Sequence, residues 1–304
     1  MFSVSNFICG EKFQFECDTW IGTRRDFDAN PRVKFQLHRQ MDIDRLNQPW
    51  ENPPTIFCYS YLIPRLCEKL ATNLILRPFV LVTHNSAHTM SVVPEENRRR
   101  GIACPIIYLL GHHKVVRWFS SNVNHDHPKL KPLPLGLANP QHPHGNSVLV
   151  SRTASLSLPQ TRLAYLNFDT TTKPDVRNKC MEVLLAKGFT QQPALPFEDY
   201  VRELASHKYC FCPPGHALDT HRLWECLYLG VVPIVLRSTF VELLDRYVIP
   251  NMMFIVDKWE DVPATPEELE ASTKALRTIR KDPGIAFILS SDLYVAAIHF
   301  GITA

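Results

Sequence analysis

The sequence predicts an α/β chain built on two parallel sheets, and three observations predict it. At 304 residues the chain is long for one compact domain and comfortable for two. Short apolar runs rich in β-branched and aromatic residues alternate with segments of helical spacing, the pattern of a parallel sheet covered on both faces. The stretch from His207 to Val235 reads as strand, glycine turn, helix, strand. With 45% hydrophobic and 21% charged residues the composition is that of a soluble globular protein. A net charge of +3 is too small to argue for nucleic acid, and no basic run interleaves with aromatics. The densest basic cluster, Arg98-Arg99-Arg100, reads as the solvated end of a helix. Nine cysteines without a C-x-x-C pair form no disulfide framework, which predicts reduced thiols and a cytosolic setting.

Taken in order, Phe7–Cys9 and Phe13–Glu16 read as short strands, followed by Asp18, Trp20 and a turn at Gly22-Thr23-Arg24-Arg25. Asp42-Ile43-Asp44 imitates the D-x-D of metal-dependent transferases, but no buried strand feeds it, so it reads as surface. Tyr61–Thr72 carries Ile63, Leu66 and Leu70 at helical spacing, with Pro64 tolerated in the first turn. Phe79–Thr83 is the clearest buried strand of the first half. It delivers His84-Asn85-Ser86 at its C-terminal end, where parallel sheets place ligands. A helix over Pro94–Leu110, strands at Val115–Phe119 and Leu133–Leu137, and a Pro/His/Gly/Asn/Ser-rich linker over Asn139–Gln160 follow.

Residues 1–145 therefore form an N-terminal domain and 146–304 a C-terminal one. In the second, Arg162–Phe168 is a strand, Thr172–Gly188 and Phe197–Ser206 are helices, and Lys208–Cys212 is the next strand, ended by Pro213-Pro214-Gly215. Asp219 stands at the N-cap position of the following helix. On that helix Leu223, Trp224, Leu227 and Tyr228 share one face, and Arg222 and Glu225 the opposite one. Gly230 suits its stop, and Val231–Val235 reads as a strand in which Pro233 is discordant. Phe240–Tyr247 and Met253–Val256 continue the alternation, Pro266 opens a helix reaching about Lys281, and apolar Gly284–Ala304 packs as a helix that crosses back onto the first domain.

A glycine turn opening a helix offers free N–H groups and the positive end of the helix dipole to a phosphate. Arg222 adds a charged fork, and Glu225 one turn on is placed to accept from ribose hydroxyls. The same spacing also fits an ordinary β-α-β corner with a surface ion pair between Arg222 and Glu225. The residues themselves carry more: Phe211-Cys212-Pro213-Pro214-Gly215, Asp219, Arg222, Glu225, Leu227, Gly230, Pro233 and Ile234 resemble, over about 25 residues, the C-terminal signature of the exostosin-like glycosyltransferases. His84-Asn85-Ser86 resembles their T-H-N-S-D, with Ala87 in the last place, and Thr172 with Arg177 matches a phosphate-contacting T-x-x-x-x-R. Pro214 stands where many members have Arg.

The resemblance implies a GT-B fold, two Rossmann-like parallel-sheet domains facing across a cleft, and inverting transfer from a nucleotide sugar without a metal or other cofactor. UDP-xylose, UDP-galactose and UDP-glucuronate are the donors it suggests, and a glycan or glycoprotein hydroxyl the acceptor. The donor site it implies comprises Thr172, Arg177, Gly215, Asp219, Thr220, His221, Arg222 and Glu225. The catalytic base comes from the first domain, with His84 first and Asp18 second; the structural alternative for His84 is a histidine bonded to loop backbone. Asn85 and Trp20 line the acceptor side, with Trp50 and Trp118 as further stacking candidates or core residues. Many relatives carry an N-terminal Golgi anchor; nothing here reads as a signal peptide or membrane span, so the expectation is a cytoplasmic protein similar to glycosyltransferases of large algal viruses. Two other classes remain open, a non-catalytic carbohydrate-binding protein with a degenerate donor site and a Rossmann dehydrogenase, the latter disfavoured because no G-x-G-x-x-G opens a helix. The histidine-rich middle (His112, His113, His125, His127, His142, His144) suggests zinc, but it lies in proline-rich loop without neighbouring cysteines.

Overall fold

A computed structural model describes residues 7–21, 43–92, 103–276 and 283–300. The chain divides into two units, Cys9–Leu135 with Ser291–Ala304, and Met1–Ile8 with Gly136–Ser290. The division falls between Leu135 and Gly136, ahead of the boundary read at 145/146. Among the described residues no helix is long and apolar enough to cross a membrane. The Gly22–Arg25 turn, Asp42 and Arg98–Arg100 lie outside the described residues.

The first unit is built on five parallel strands in consecutive order: β1 Thr19–Ile21, β2 Thr55–Tyr59, β3 Phe79–His84, β4 Val115–Ser120 and β5 Leu130–Pro132. Every residue of β2 and β3 is buried, as expected of central parallel strands covered on both faces. The expected strand at Leu133–Leu137 is displaced: β5 ends at Pro132, beyond which the Leu133 N–H still donates to the Ser120 carbonyl at 2.7 Å. The expected strand at Phe13–Glu16 is instead helical, within α1, Gly10–Glu16. Its alternating phenylalanines imitate a strand, but tertiary contacts hold the helix: the Trp20 indole donates to the Gln14 carbonyl at 2.7 Å and the Tyr59 hydroxyl to Gln14 Oε1 at 2.7 Å. Helix α2, Ile63–Ala71, matches its expected span, with Pro64 in the first turn. Of the expected Pro94–Leu110 helix, Ala103–Gly111 (α3) is described. Asp44 is exposed on a short helix, Ile43–Leu46.

The expected linker contains a helix, α4, Ser147–Ser155, capped by Asn146, whose Oδ1 accepts from the Leu149 N–H at 3.0 Å. The second unit follows with β6 Arg162–Tyr165, α5 Pro174–Ala186, α6 Phe197–Ala205, β7 His207–Phe211, α7 His221–Leu229, β8 Val232–Leu236, α8 Thr239–Tyr247, β9 Phe254–Val256 and α9 Pro266–Thr273. Strands β6 to β9 are parallel neighbours in that order. A further short parallel bridge joins Leu166 to Gln191 on the outer side of β6, where the Gln192 N–H donates to the Leu166 carbonyl at 2.8 Å. The chain thus leaves β6 outward through α5, then doubles back through α6 to β7. Winding reverses between β6 and β7, which is where open parallel sheets leave a crevice at their carboxyl ends.

The discordant Pro233 now has a physical account. The Ile234 carbonyl accepts from Cys212 and the Val256 carbonyl from Arg237, so odd positions of β8 point their N–H groups toward β9. Pairing with β9 begins only at Ile234 opposite Phe254, so the donor missing at Pro233 falls ahead of that ladder. The apolar end of the chain is two helices rather than one, α10 Pro283–Ile288 and α11 Ser291–Phe300, of which α11 groups with the first unit.

Asp18, read from sequence as a second choice of base, is a joint between strands. Its Oδ2 accepts from the Thr55 N–H and hydroxyl, each at 2.8 Å, while its own N–H donates to Thr55 Oγ1 at 2.9 Å. Thr55 is buried, so removing the carboxylate strands two donors. Asp18→Ala should lower unfolding free energy by about 2–3 kcal/mol in urea titrations; an unchanged midpoint would free Asp18 from this structural role.

Candidate functional site

The site is built at the carboxyl ends of β6 and β7. After β6 the chain runs through Asn167, Phe168 and Asp169; after β7 it turns through Pro213, Pro214 and Gly215. The Asn167 side-chain amide donates to the Gln192 carbonyl at 2.8 Å, which fixes the first segment against the outer edge. Asp169 then opens a 3-10 turn, Thr170–Thr172, its Oδ1 accepting from the Thr171 N–H at 2.8 Å and hydroxyl at 2.7 Å. These bonds hold the exposed Asp169 carboxyl below its ordinary range.

Arg177, in the first turn of α5, ties the two segments together. Its Nε donates to the Pro214 carbonyl at 3.0 Å, its two terminal nitrogens to Asp169 at 2.7 Å and Pro213 at 3.4 Å, and its guanidinium lies over the Phe168 ring. Gly215 leaves room for both: a Cβ there would stand 2.9 Å from the Arg177 guanidinium and 3.3 Å from the Thr172 methyl. Gly215 is therefore brought together with Thr172 and Arg177, which lie some forty residues earlier in the chain.

Arg222 occupies the other side. Its guanidinium donates to the Asn167 carbonyl and lies over the rings of Tyr165 and Tyr200, 5.5 and 5.0 Å from their centroids. Neither arginine forms a salt bridge with a carboxylate among the described residues. Burial, and then the charge of Arg222, disfavours the charged form of Arg177. For Arg222 burial acts the same way, but Tyr200, Cys210 and Glu225 outweigh it and its charge is kept. Two like charges thus converge at the crevice, held by carbonyls and aromatic faces.

Glu225 is 5% exposed and accepts from the Tyr200 hydroxyl at 2.6 Å. Burial raises its carboxyl above the usual range, against the pull of that hydrogen bond and of Arg222. This overturns the surface ion pair and the exposed polar face: every residue from Leu223 to Leu229 is buried, because α7 packs against β8 and also against α4 and α6. Tyr165, Tyr200 and Asn167 are site components the sequence reading missed. For Tyr165 and Asn167 the available signal was the Tyr165-x-Asn167-Phe168 spacing at a strand end; Tyr200, on α6, had none of that kind.

Several expected donor-site residues have other duties. Asp219 is not the N-cap, which is Thr220; it is 2% exposed, and its carboxylate accepts from the Trp224 indole at 2.9 and 3.0 Å and from the Thr220 N–H at 2.8 Å. The Gly215 N–H donates to the Ala217 carbonyl at 3.1 Å, and α7 begins only at His221, so the glycine turn does not itself open the helix. His221 faces the Gly136 carbonyl through Nδ1 at 2.8 Å.

In the first unit, His84 is wholly buried. Its Nε2 donates to the Pro134 carbonyl at 3.0 Å, its ring packs on Phe13 at 5.4 Å, and a Cβ at Gly10 would stand 2.3 Å from its Nδ1. That is the structural alternative, not an accessible base. Asn85, half-buried with φ +58°, keeps its Oδ1 3.3 Å from His84 Nδ1. Trp20 is fully buried and cannot stack on a sugar; Trp118 is also core, its indole donating to Thr83 Oγ1 at 2.8 Å, and Trp50 remains exposed. Among the described residues, the group of three metal-capable side chains whose donor atoms lie within 4.8 Å of one another is Cys210, Cys212 and Cys226, not the histidines.

No protein-family model matches the chain, and no curated protein matches it.

His207 and His221 are both held below the ordinary imidazole range, mainly by burial and against the pull of backbone carbonyls. The unfolded chain takes up protons near pH 6.5 that these folded groups refuse. Their contribution to stability is complete above about pH 6.5 and is lost as pH falls from there toward their folded-state values. Urea midpoints should therefore drop between about pH 7.5 and 5.5, and His221→Asn, which keeps a donor for Gly136, should shrink the drop. An identical drop in the variant would remove His221 from this account.

Proposed function

We propose that the crevice between β6 and β7 binds the diphosphate of a nucleotide sugar, and that the chain is an inverting, metal-independent glycosyltransferase of GT-B type, similar to the exostosin-like enzymes. The observation that carries this reading is the convergence of Arg177 and Arg222 at the point where sheet winding reverses. Of the five N–H groups of each guanidinium, Arg177 commits three to carbonyls and Arg222 one. The remainder suit phosphate oxygens, and an anion between the two cations relieves their mutual repulsion.

During transfer, negative charge grows on the departing diphosphate as the bond to the anomeric carbon lengthens. Preplaced guanidinium groups stabilise that charge more than the ground state, and one such donor is worth about 3–4 kcal/mol at the barrier. Glu225 suits a ribose by exchanging the Tyr200 hydroxyl for a sugar hydroxyl, which retains an acceptor bond inside the buried pocket wall. UDP-xylose, UDP-galactose and UDP-glucuronate are the donors to test, with a glycan hydroxyl as acceptor.

One observation favours a second reading, a carbohydrate-binding protein without turnover. The two side chains read as bases, His84 and Asp18, are committed to Pro134 and Thr55. Release of UDP in the presence of sugar acceptors separates the two readings.

Arg177→Lys and Arg222→Lys keep the charge but lose the planar fork. Each should weaken UDP binding by about tenfold or more in calorimetry, with Glu225→Gln weakening it through the ribose while leaving the fold intact. Wild-type UDP affinity in all three folded variants would overturn the site.

A further inference from the structure

Three buried cysteines stand beside this site, and of them only Cys210 has entered the account above, through its effect on Arg222. Cys210 lies in β7 and Cys212 just beyond its end; two apart on an extended chain, they project to the same face of the sheet. Cys226 comes to meet them from the middle of α7, the helix packed over that sheet. Their exposures are 0%, 5% and 0%, and their three Sγ atoms lie within 4.8 Å of one another. The Cys212–Cys226 separation is 3.9 Å.

We propose that Cys210, Cys212 and Cys226 form a three-coordinate thiolate site for a soft d10 cation of the Cu(I) class. The Cys212–Cys226 edge of the triangle is the first argument. Three sulfurs at about 2.3 Å from a shared ion are about 4.0 Å apart in a plane and about 3.8 Å apart on a tetrahedral face. The observed 3.9 Å edge fits that, and is nearly twice a disulfide bond of about 2.05 Å. The donor set is the second. It is all sulfur and shut off from water, which selects thiophilic ions over magnesium, calcium or manganese. Zinc at a structural site takes four ligands, and among the described residues no fourth metal-capable side chain joins the three within the same 4.8 Å. Charge is the third. Three thiolates around a monovalent ion carry a net double negative charge, and Arg222 lies close enough to act electrostatically on both Cys210 and Cys212. On binding, three S–Cu bonds form, and each thiol that ligates gives its proton to solvent, so uptake strengthens as pH rises. Such an ion would tie the end of β7 to the middle of α7, one helical turn from Arg222 and at the residue next to Glu225.

The test is an anaerobic titration of the reduced full chain with Cu(I) against a chromophoric Cu(I) chelator. One equivalent per chain should be withdrawn from the chelator, with thiolate-to-copper absorption in the near ultraviolet, and Cys226→Ala and Cys212→Ala should each abolish this uptake while Cys180→Ala does not. Should the variants fail to fold, alkylation of the wild-type chain decides: bound copper should protect Cys210, Cys212 and Cys226 together. Uptake no greater than in the variants, or no protection, overturns the site. So does one equivalent of Zn(II) held by the same cysteines in preference to Cu(I). A chain as isolated that is two thiols short, with Cys212 joined to Cys226, overturns it as well.

Discussion

Backbone carbonyls stranded beyond the ends of β6 and β7 are the constraint on which the site depends. Where sheet winding reverses, the segments leaving neighbouring strands part company, and their acceptors lose ladder partners. Pro213 and Pro214 sharpen the problem, because each brings a carbonyl and no N–H. Arg177 and Arg222 answer it by donating to Asn167, Asp169, Pro213 and Pro214. A guanidinium suits this duty better than an ammonium, since its donors diverge in a plane and its faces tolerate aromatic rings. The same bonds that close the turn therefore fix two cations beside the ends of β6 and β7.

The setting of α7 follows from that. An arginine beside the sheet must be lined by something other than water, and Tyr165 and Tyr200 supply faces that accept its charge. Tyr200 then needs an acceptor for its hydroxyl, which Glu225 provides. Covering α7 on its outer side requires α4 and α6, so a nine-residue helix in the expected linker becomes part of the site's support. The aspartate ahead of α7 is consumed in the same way, its carboxylate spent on the Trp224 indole that the burial of α7 would otherwise leave without a partner.

Much of this was legible in the sequence because it rests on local rules. The strand–turn–helix–strand order at His207–Val235, the stop at Gly230 and the buried run at Phe79 depend on periodicity and turn residues, and they stand where expected. What was not legible depends on partners distant in sequence. Phe13 and Phe15 alternate as in a strand, yet Trp20 and Tyr59 hold them on a helix. Arg222 and Glu225 have the spacing of a solvated pair, and only α4 and α6, invisible to helical spacing on α7, make that face interior. The glycine turn and the start of α7 adjoin in sequence, but Asp219 and Thr220 intervene as a separate entry to the helix. His84 shows the same limit most clearly: a strand's carboxyl end locates it, while Phe13, Gly10 and Pro134 decide that it is core.

The proposed ligand site rests on the electrostatics around Arg177 and Arg222. A fold selected for stability alone would pair two neighbouring guanidinium groups with carboxylates, since unpaired burial of charge is costly and repulsion between them adds to it. Here the nearest buried carboxylate, Glu225, is bonded to a tyrosine and itself resists ionisation, and the exposed Asp169 binds its own turn. Among the described residues the charge of Arg177 thus lacks a salt-bridged carboxylate, and that of Arg222 is kept by Tyr200, Cys210 and Glu225 without one. Violations of local electrostatic consistency of this kind are expected where an external group completes the structure. The group that would complete this one carries two or more negative charges, presents oxygens in a plane that a fork can grip, and is narrow enough to enter between two strand ends; a diphosphate has each of these properties.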